Sequence, residues 1–271
     1  MRVVPVGLLR SLLIGAIAIG CWLTMVAPAQ AATLSDRVAS YPDWSNLPSL
    51  KANAPDLPYP DWMAGTWQVT STLVDLQAPL APEIVTPGFD SNRRWLDQPL
   101  EFPVRFGPPI YAAAAKPLPD LRPQAASVVA DRAFNGLAIA RAYLGEAVAS
   151  VQAPDPNQQL VQLANGDSLL MRMTGRAWEQ PAPQVFVASE LSRQIFRGQG
   201  RPQFNTVETT ARYEQRSPDQ ITADQITAIY LTPQDPSYFQ VGDRPIALYR
   251  YALTLTRTDD SSDAARSAGN P

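Results

Sequence analysis

The chain has 271 residues, with 22 Lys and Arg against 25 Asp and Glu, a net charge of −3, no histidine and one cysteine, Cys21. That balance excludes the basic surface that nucleic acid requires. The missing imidazole, and a thiol confined to the first stretch of the chain, exclude Ser-His-Asp and Cys-His catalysis, the usual zinc sites and His- or Cys-ligated haem, leaving carboxylate chemistry and calcium open.

Residues 1–31 read as a signal peptide. Arg2 and Arg10 accompany an uncharged apolar run, SLLIGAIAIGCWLTMV, and Ala29-Gln30-Ala31 has the small-x-small pattern of a cleavage site. The run is at the short end for a membrane span, so a retained anchor is the alternative. Residues 32–271 keep 20 of the 22 basic and all 25 acidic residues, a net charge of −5, and no cysteine.

Residues 32–60 form a Pro-rich leader, with Pro42, Pro48, Pro55, Pro58 and Pro60. Proline removes a backbone donor and fixes φ, which excludes a central strand or long helix. LSDRVASY predicts one helical turn capped by Ser35, and the rest is expected to run extended over the surface. Tyr-Pro-Asp-Trp occurs twice, at 41–44 and 59–62. It is a turn unit flanked by aromatics. Trp44 and Trp62 are expected to pin the leader over an open end of the fold; the alternative is a pair of docking points for a partner or a glycan.

From Gly65 the pattern alternates. GTWQVTSTLVD puts Trp67, Val69 and Leu73 on one face and Thr66, Gln68, Thr70 and Thr72 on the other, a half-buried antiparallel strand. LQAPLAPEIVTPGF is a Pro-rich, lid-like segment. RRWLDQPLEFPVRF suggests a strand near 100–106, and LAIARAYL a helix. QQLVQLANGDSLLMRMTGRAW predicts a hairpin with a two-residue type I′ turn at Asn165-Gly166. VFVASELSRQIFRG suggests a short helix. NTVETTARYEQ, ADQITAIYLTP and PIALYRYALTLTR predict three closing strands. The polar tail 258–271 is expected to be disordered.

These elements predict a mainly β domain over 61–257. It is an antiparallel up-and-down barrel with one or two short helices, its first strand close to its last, since closure removes exposed edges.

A strand opening on Gly65-x-Trp67 after an extended lead-in resembles the calycin group, the lipocalins and their relatives. The resemblance implies that Trp67 plugs one barrel end beside Gly65, covered by a basic residue of the last strand, Arg250 or Arg257. Alternation puts Arg257 on the face of Tyr249, Tyr251, Leu253 and Leu255, the better geometry. Haem binding in one barrel subfamily uses a histidine, so it is not carried over. Longer stretches, PDWMAGTWQVTSTLVDLQAPLAPEIVTPGF, VVADRAFNGLAIARAYLG, TGRAWE, VETTARYE and TAIYLTPQDPSYF, resemble an uncharacterised family of cyanobacterial and chloroplast proteins of the thylakoid lumen or periplasm. That implies a photosynthetic source and an extracytoplasmic site, and no reaction.

Arg93, Arg94 and Trp95 form either a clamp for a carboxylate or phosphate headgroup or a surface charge pair beside a docking Trp. Asp131, Arg132 and Asn135 form either a polar network at the barrel mouth or a salt bridge and a turn. Tyr249 and Tyr251 are candidate ligand contacts on the inner face. Glu83 and Asp90 flank the lid segment and read as solvated charges; QDPSYF reads as a turn, with too few oxygens for calcium. No catalytic residue, metal or cofactor is predicted. The reading that follows is a non-catalytic exported protein binding a small hydrophobic ligand (pigment, quinone or lipid) in the barrel. The alternatives are an assembly partner of a photosynthetic membrane complex with a filled barrel, and an enzyme acting through carboxylates and arginines. The bulky inward groups, Val69, Leu73, Tyr249, Tyr251, Leu253 and Leu255, favour a filled or narrow interior.

Overall fold

The computed structural model describes residues 32–52, 54–86, 88–110, 127–198 and 200–258. The signal peptide expected over 1–31, and the tail expected over 258–271 apart from Thr258, lie outside them.

Ten antiparallel strands form one strongly curled sheet, a half-barrel. They are β1 (Gly65–Gln77), β2 (Pro99–Gly107), β3 (Val129–Ala130), β4 (Val148–Asp155), β5 (Gln158–Leu163), β6 (Ser168–Ala182), β7 (Val185–Arg197), β8 (Gln203–Ser217), β9 (Gln220–Tyr230) and β10 (Ala247–Arg257). Among the described residues they are accompanied by the α-helices α1 (Leu34–Ala39), α2 (Phe89–Asn92), α3 (Arg132–Leu144) and α4 (Tyr238–Val241). The sheet order is β3-β2-β1-β10-β9-β8-β7-β6-β5-β4. Consecutive strands pair throughout except at β3 and β4, and the first pairs with the last. The barrel therefore has one seam, between β3 and β4. Pro103, in the middle of β2, faces this seam side, where no ladder donor is needed at its level.

Period-two alternation fixes the two faces. Trp67, Val69, Ser71 and Leu73 of β1 are buried and lie opposite Arg257, Leu255, Leu253 and Tyr251 of β10. Trp67, Val69 and Leu255 build the inner core with Leu57, Met63, Phe102, Val104, Phe106, Phe186 and Ile221, and Leu73 and Tyr251 join Leu76, Phe89 and Tyr249 nearer the rim. Bulges at Leu73–Asp75 and Met173–Gly175 tighten the curl.

Two pieces of chain fill the seam. Toward the end bearing Trp67, the leader crosses it: Lys51 pairs with Arg176 of β6, and Tyr59 with Val128 beside β3. Toward the opposite rim, α3 packs against β2, β4 and β5.

The leader packs on the barrel through both Trp44 and Trp62: Trp44 is buried in an outer cluster, and Trp62 packs at the closed end and donates to the Pro183 carbonyl at 3.1 Å. α1 lies on the outer face of β7, β8 and β9. There Val38 and Trp44 join Val187, Ile226, Ala228, Tyr230 and Leu248. Arg37 donates to the fully buried Glu208 at 2.5 and 2.7 Å and stacks on Trp44 at 3.9 Å. The cap of α1 is Thr33, not Ser35: Thr33 accepts from the Asp36 amide while Asp36 accepts from the Thr33 amide, a capping box. Ser35 instead donates to Glu179 of the barrel. The two Tyr-Pro-Asp-Trp copies have different fates. Tyr41 and Trp44 dock outside, whereas Tyr59 enters the barrel and packs on Phe106, Phe186 and Tyr213.

Two further expectations are corrected. VFVASELSRQIFRG is strand β7, not helix, because it is paired along its length on both sides, with β6 and β8. The hairpin at Asn165-Gly166 exists, but its loop is longer than two residues. Only Gly166 has a positive φ, 89°, and the Asn165 side chain instead accepts from the Asp167 amide.

Candidate functional site

The closed end is built around Trp67, which is 0% exposed and donates from Nε1 to the Met63 carbonyl at 2.8 Å. The Arg257 guanidinium lies 4.2 Å from its ring centre and donates to the carbonyls of Ala64, Trp62 and Pro218. That cation–π contact ties the last strand to the first. Gly65 makes room for it. Its φ is +118°, and a Cβ there would sit 2.5 Å from Arg257 Nη1. Gly65→Ala is therefore expected to cost about 1–3 kcal/mol by strain and by displacing the guanidinium. Gly107→Ala, where an added Cβ meets nothing within 4 Å, is expected to be near neutral. Chemical denaturation of the two variants checks this.

Above the closed end the barrel is hollow. A cavity of about 540 Å³ lies between α3 and the inner wall of β5–β8, its sides formed by Leu169, Met171, Met173, Val161, Ile139 and Leu144. A second, of about 340 Å³, lies between α3 and the wall of β1, β2 and β10. Tyr59, Ala130, Asn135, Ile139 and Gln225 line both. A third, of about 270 Å³, sits beneath the rim among Trp95, Tyr143, Tyr249 and Tyr251. The interior is not filled, despite its bulky groups: α3 lies in the seam and leaves space between itself and each of the two walls.

The sequence of α3 explains its position. Asp131 caps it by accepting from the Phe134 amide at 3.1 Å. Asn135 bonds both the amide and the carbonyl of Arg105, at 2.7 and 3.0 Å, and so completes the free edge of β2 with a side chain. Gly136 lets the helix approach Gln159 and Val151 more closely than any side chain would allow. The C-terminal half then carries Ile139 and Leu144 to the mouth, where they are 39% and 52% exposed, facing Phe196 of β7 at 36%. Three of the exposed large apolar side chains thus mark the entrance to the cavity of about 540 Å³.

The floor of that cavity is charged and internally balanced. Arg132 donates to Asp56 at 2.5 Å and to Glu190 at 2.7 Å, and Arg176 donates to Glu190 at 2.6 Å. Arg176 also reaches Asn157 at 2.6 Å and the carbonyls of Pro156 and Ala54. Burial alone would raise the Glu190 pKa, but the charges and hydrogen bonds of Arg132 and Arg176 hold it below the ordinary carboxylate value. Glu190 is therefore an ionised counterion shared by two guanidiniums. Burial pushes the phenols of Tyr59, Tyr143 and Tyr251 up, and that of Tyr213 to about 12, so the wall phenols stay neutral. Among the described residues no group of three His, Cys, Asp or Glu side chains is placed to hold a metal ion.

The predicted site residues separate into two sets. Tyr249 and Tyr251 line the cavities under the rim, and Trp95 packs edge-on to Tyr143 at 5.7 Å. Arg93 and Arg94 do not clamp anything inside. Arg93 bonds exposed Asp90 at 3.4 Å, and Arg94 lies over Trp95 at 5.2 Å, both on the outer side of the turn. Arg250 does not cover Trp67; it is on the outer face, paired with Asp224 at 2.6 Å. Of Asp131, Arg132 and Asn135, only Arg132 enters the charged network. Sequence reasoning passed over Tyr59, Asp56, Arg176 and Glu190. The signal was present in the strand phase: Glu190 alternates in step with inward Phe186 and Ala188, and a charge at an inward position demands a partner.

A separate groove of about 460 Å³ lies outside on the rim, between residues 83–86 and the β9–β10 connection. It is lined about equally by polar groups, including Glu83, Gln203 and Asp235, and by apolar ones, including Ile84, Phe204 and Leu231, and buries two unpartnered hydroxyls, Thr86 and Thr232.

A family profile described as "Domain of unknown function (DUF6816)" matches residues 51–259, which takes in all ten strands and leaves α1 outside. No curated protein and no solved structure matches the chain.

Proposed function

The chain belongs to the DUF6816 family, and from that premise we propose that it is a binding protein that holds a small, mainly apolar molecule inside its barrel, in an extracytoplasmic compartment. One observation carries this reading: the cavity of about 540 Å³ under α3 is apolar on its sides, polar at its floor and apolar at its mouth. Volumes of this size, with few polar groups in an apolar lining, are those of small-molecule sites. The lid segment supports it. Leu80 and Ile84 pack on Leu231, Val241 and Ile246, and Phe89 on Tyr249, covering the β10 side of the rim. The mouth beside Leu144 and Phe196 lies outside these contacts.

A second reading, an assembly partner of a photosynthetic membrane complex, is favoured by Phe239. It is 87% exposed, stacked edge-on to Tyr238, in the connection between β9 and β10 at the same rim.

The test uses N-phenyl-1-naphthylamine, an uncharged fluorophore. The purified protein is expected to bind it saturably, one per chain. Met171→Trp, which adds volume inside the cavity, is expected to weaken binding by about tenfold or more while leaving the circular dichroism spectrum unchanged. Saturable binding that survives Met171→Trp would place the site elsewhere.

A further inference from the structure

The cavity walls carry two kinds of polar group. The charged ones are committed to one another: Arg132 to Asp56 and Glu190, and Arg176 to Glu190 and Asn157. The neutral ones are not. No hydrogen bond from a described residue reaches the hydroxyls of Tyr59 and Tyr213, the amide of Gln225, or the hydroxyls of Thr209 and Thr227. All five face the interior. Tyr213 and Gln225 stand on adjoining strands, with Tyr213 opposite Ala223 and Ala211 opposite Gln225. Thr209 and Thr227 are partners one inward step further toward the rim. The rings of Tyr59 and Tyr213 are 6.3 Å apart at 79°. Tyr59 and Gln225 line both large cavities, so this neutral polar band marks the level at which the two adjoin.

The band constrains what fills the space. A wholly apolar occupant would strip water from the band and leave its groups unpaired, which costs free energy for each group. A carboxylate would find no free cation, because both guanidiniums at the floor already face acidic partners. It would also enter beside the ionised Glu190, whose charge acts on Tyr59 and Tyr213. An uncharged oxygen avoids both penalties. Phenols that remain protonated offer O–H groups to a carbonyl or hydroxyl, and Gln225 offers a donor and an acceptor.

We infer that the cavity selects an apolar molecule carrying an uncharged carbonyl or hydroxyl at the level of Tyr59, Tyr213 and Gln225, and discriminates against the corresponding carboxylate. This rests on the interior being the binding site.

The experiment measures displacement of N-phenyl-1-naphthylamine from the purified protein by dodecan-2-one and by dodecanoate at about pH 8, where the carboxylate is ionised. The ketone is expected to bind about tenfold more tightly than the carboxylate. The double variant Tyr213→Phe, Gln225→Leu, which keeps the volume of the wall, is expected to lower ketone affinity by about tenfold and to change the affinity for the fluorophore by much less. Tyr59→Phe, a single conservative change, is expected to act in the same direction. If the fluorophore binds but dodecanoate competes as well as the ketone, or the variants hold the ketone as tightly as the unmodified chain, this inference falls and the binding reading survives. If the fluorophore does not bind at all, both fall.

Discussion

Replacing Trp67 by alanine is expected to destabilise the protein by about 3–5 kcal/mol and to lower its melting temperature by roughly 10 °C. Three losses combine. The indole is fully buried in the largest core cluster, so truncation leaves a cavity that the rigid barrel end cannot collapse to fill. The Met63 carbonyl loses its indole donor. The Arg257 guanidinium loses the ring beneath it, and with it one of the ties that hold β10 against β1 at the closed end. Trp178→Ala is the control: Trp178 is 51% exposed and stacks on Phe186 at 6.0 Å, so a loss of about 1 kcal/mol is expected. Trp44 is a poor control, although it belongs to the first Tyr-Pro-Asp-Trp. It is 5% exposed, with Arg37 stacked on it, so its removal would loosen α1 from the outer wall. Thermal melts that fail to separate Trp67→Ala from Trp178→Ala would refute the plug.

The barrel was legible in the chain wherever polar residues punctuate the strands, even where both faces end up covered. β1 alternates from Trp67 to Leu73, Glu208 and Arg212 break up β8, and in β10 the step of two places Arg257, not Arg250, on the inner face with Tyr251 and Leu253. Legibility failed where both faces are apolar in the sequence itself. β7 lies beneath α1 on its outer side and above the cavity on its inner side, so VFVAS reads as a continuous apolar run, and length and pattern do not separate strand from helix there. The leader misled for a related reason. Its prolines correctly exclude a ladder strand, but they do not exclude burial, and Leu57 and Tyr59 enter the core between prolines. The cavity itself has no local signature. It exists because α3, whose sequence speaks only of helix, is held at the seam by Asn135 and Gly136, through contacts with residues 30 positions upstream and about 20 downstream. The charged floor joins residues from the leader, α3, β6 and β7, and would emerge from sequence only after the phase of each element was known.

That floor gives the second large effect. Glu190→Gln is expected to cost about 3 kcal/mol near neutral pH, toward the low end for breaking a buried ion pair because the amide oxygen still accepts. The substitution leaves Arg132 with Asp56 alone and gives Arg176 a neutral partner in place of a charged one. The pH dependence follows from the depressed Glu190 pKa. The unfolded chain takes up the proton at the ordinary value of about 4.3, and the folded chain only at lower pH. Protonation therefore favours unfolding: the contribution is complete above about pH 5 and is lost as the pH falls through the folded value. Asp36 and Glu214 are also depressed, by hydrogen bonds from Thr33 and Arg212 at the surface, so the acid limb of the unmodified protein alone does not isolate Glu190. The difference between the unmodified protein and Glu190→Gln does, because the surface groups cancel. That difference is expected to be constant from about pH 8 to pH 5 and to shrink below about pH 4.5, as the unfolded chain takes up a proton that the folded Glu190 does not yet accept. A difference that stays the same down to about pH 3 would mean that the charge of Glu190 does not stabilise the folded barrel, and that the network is held by shape and hydrogen bonding alone.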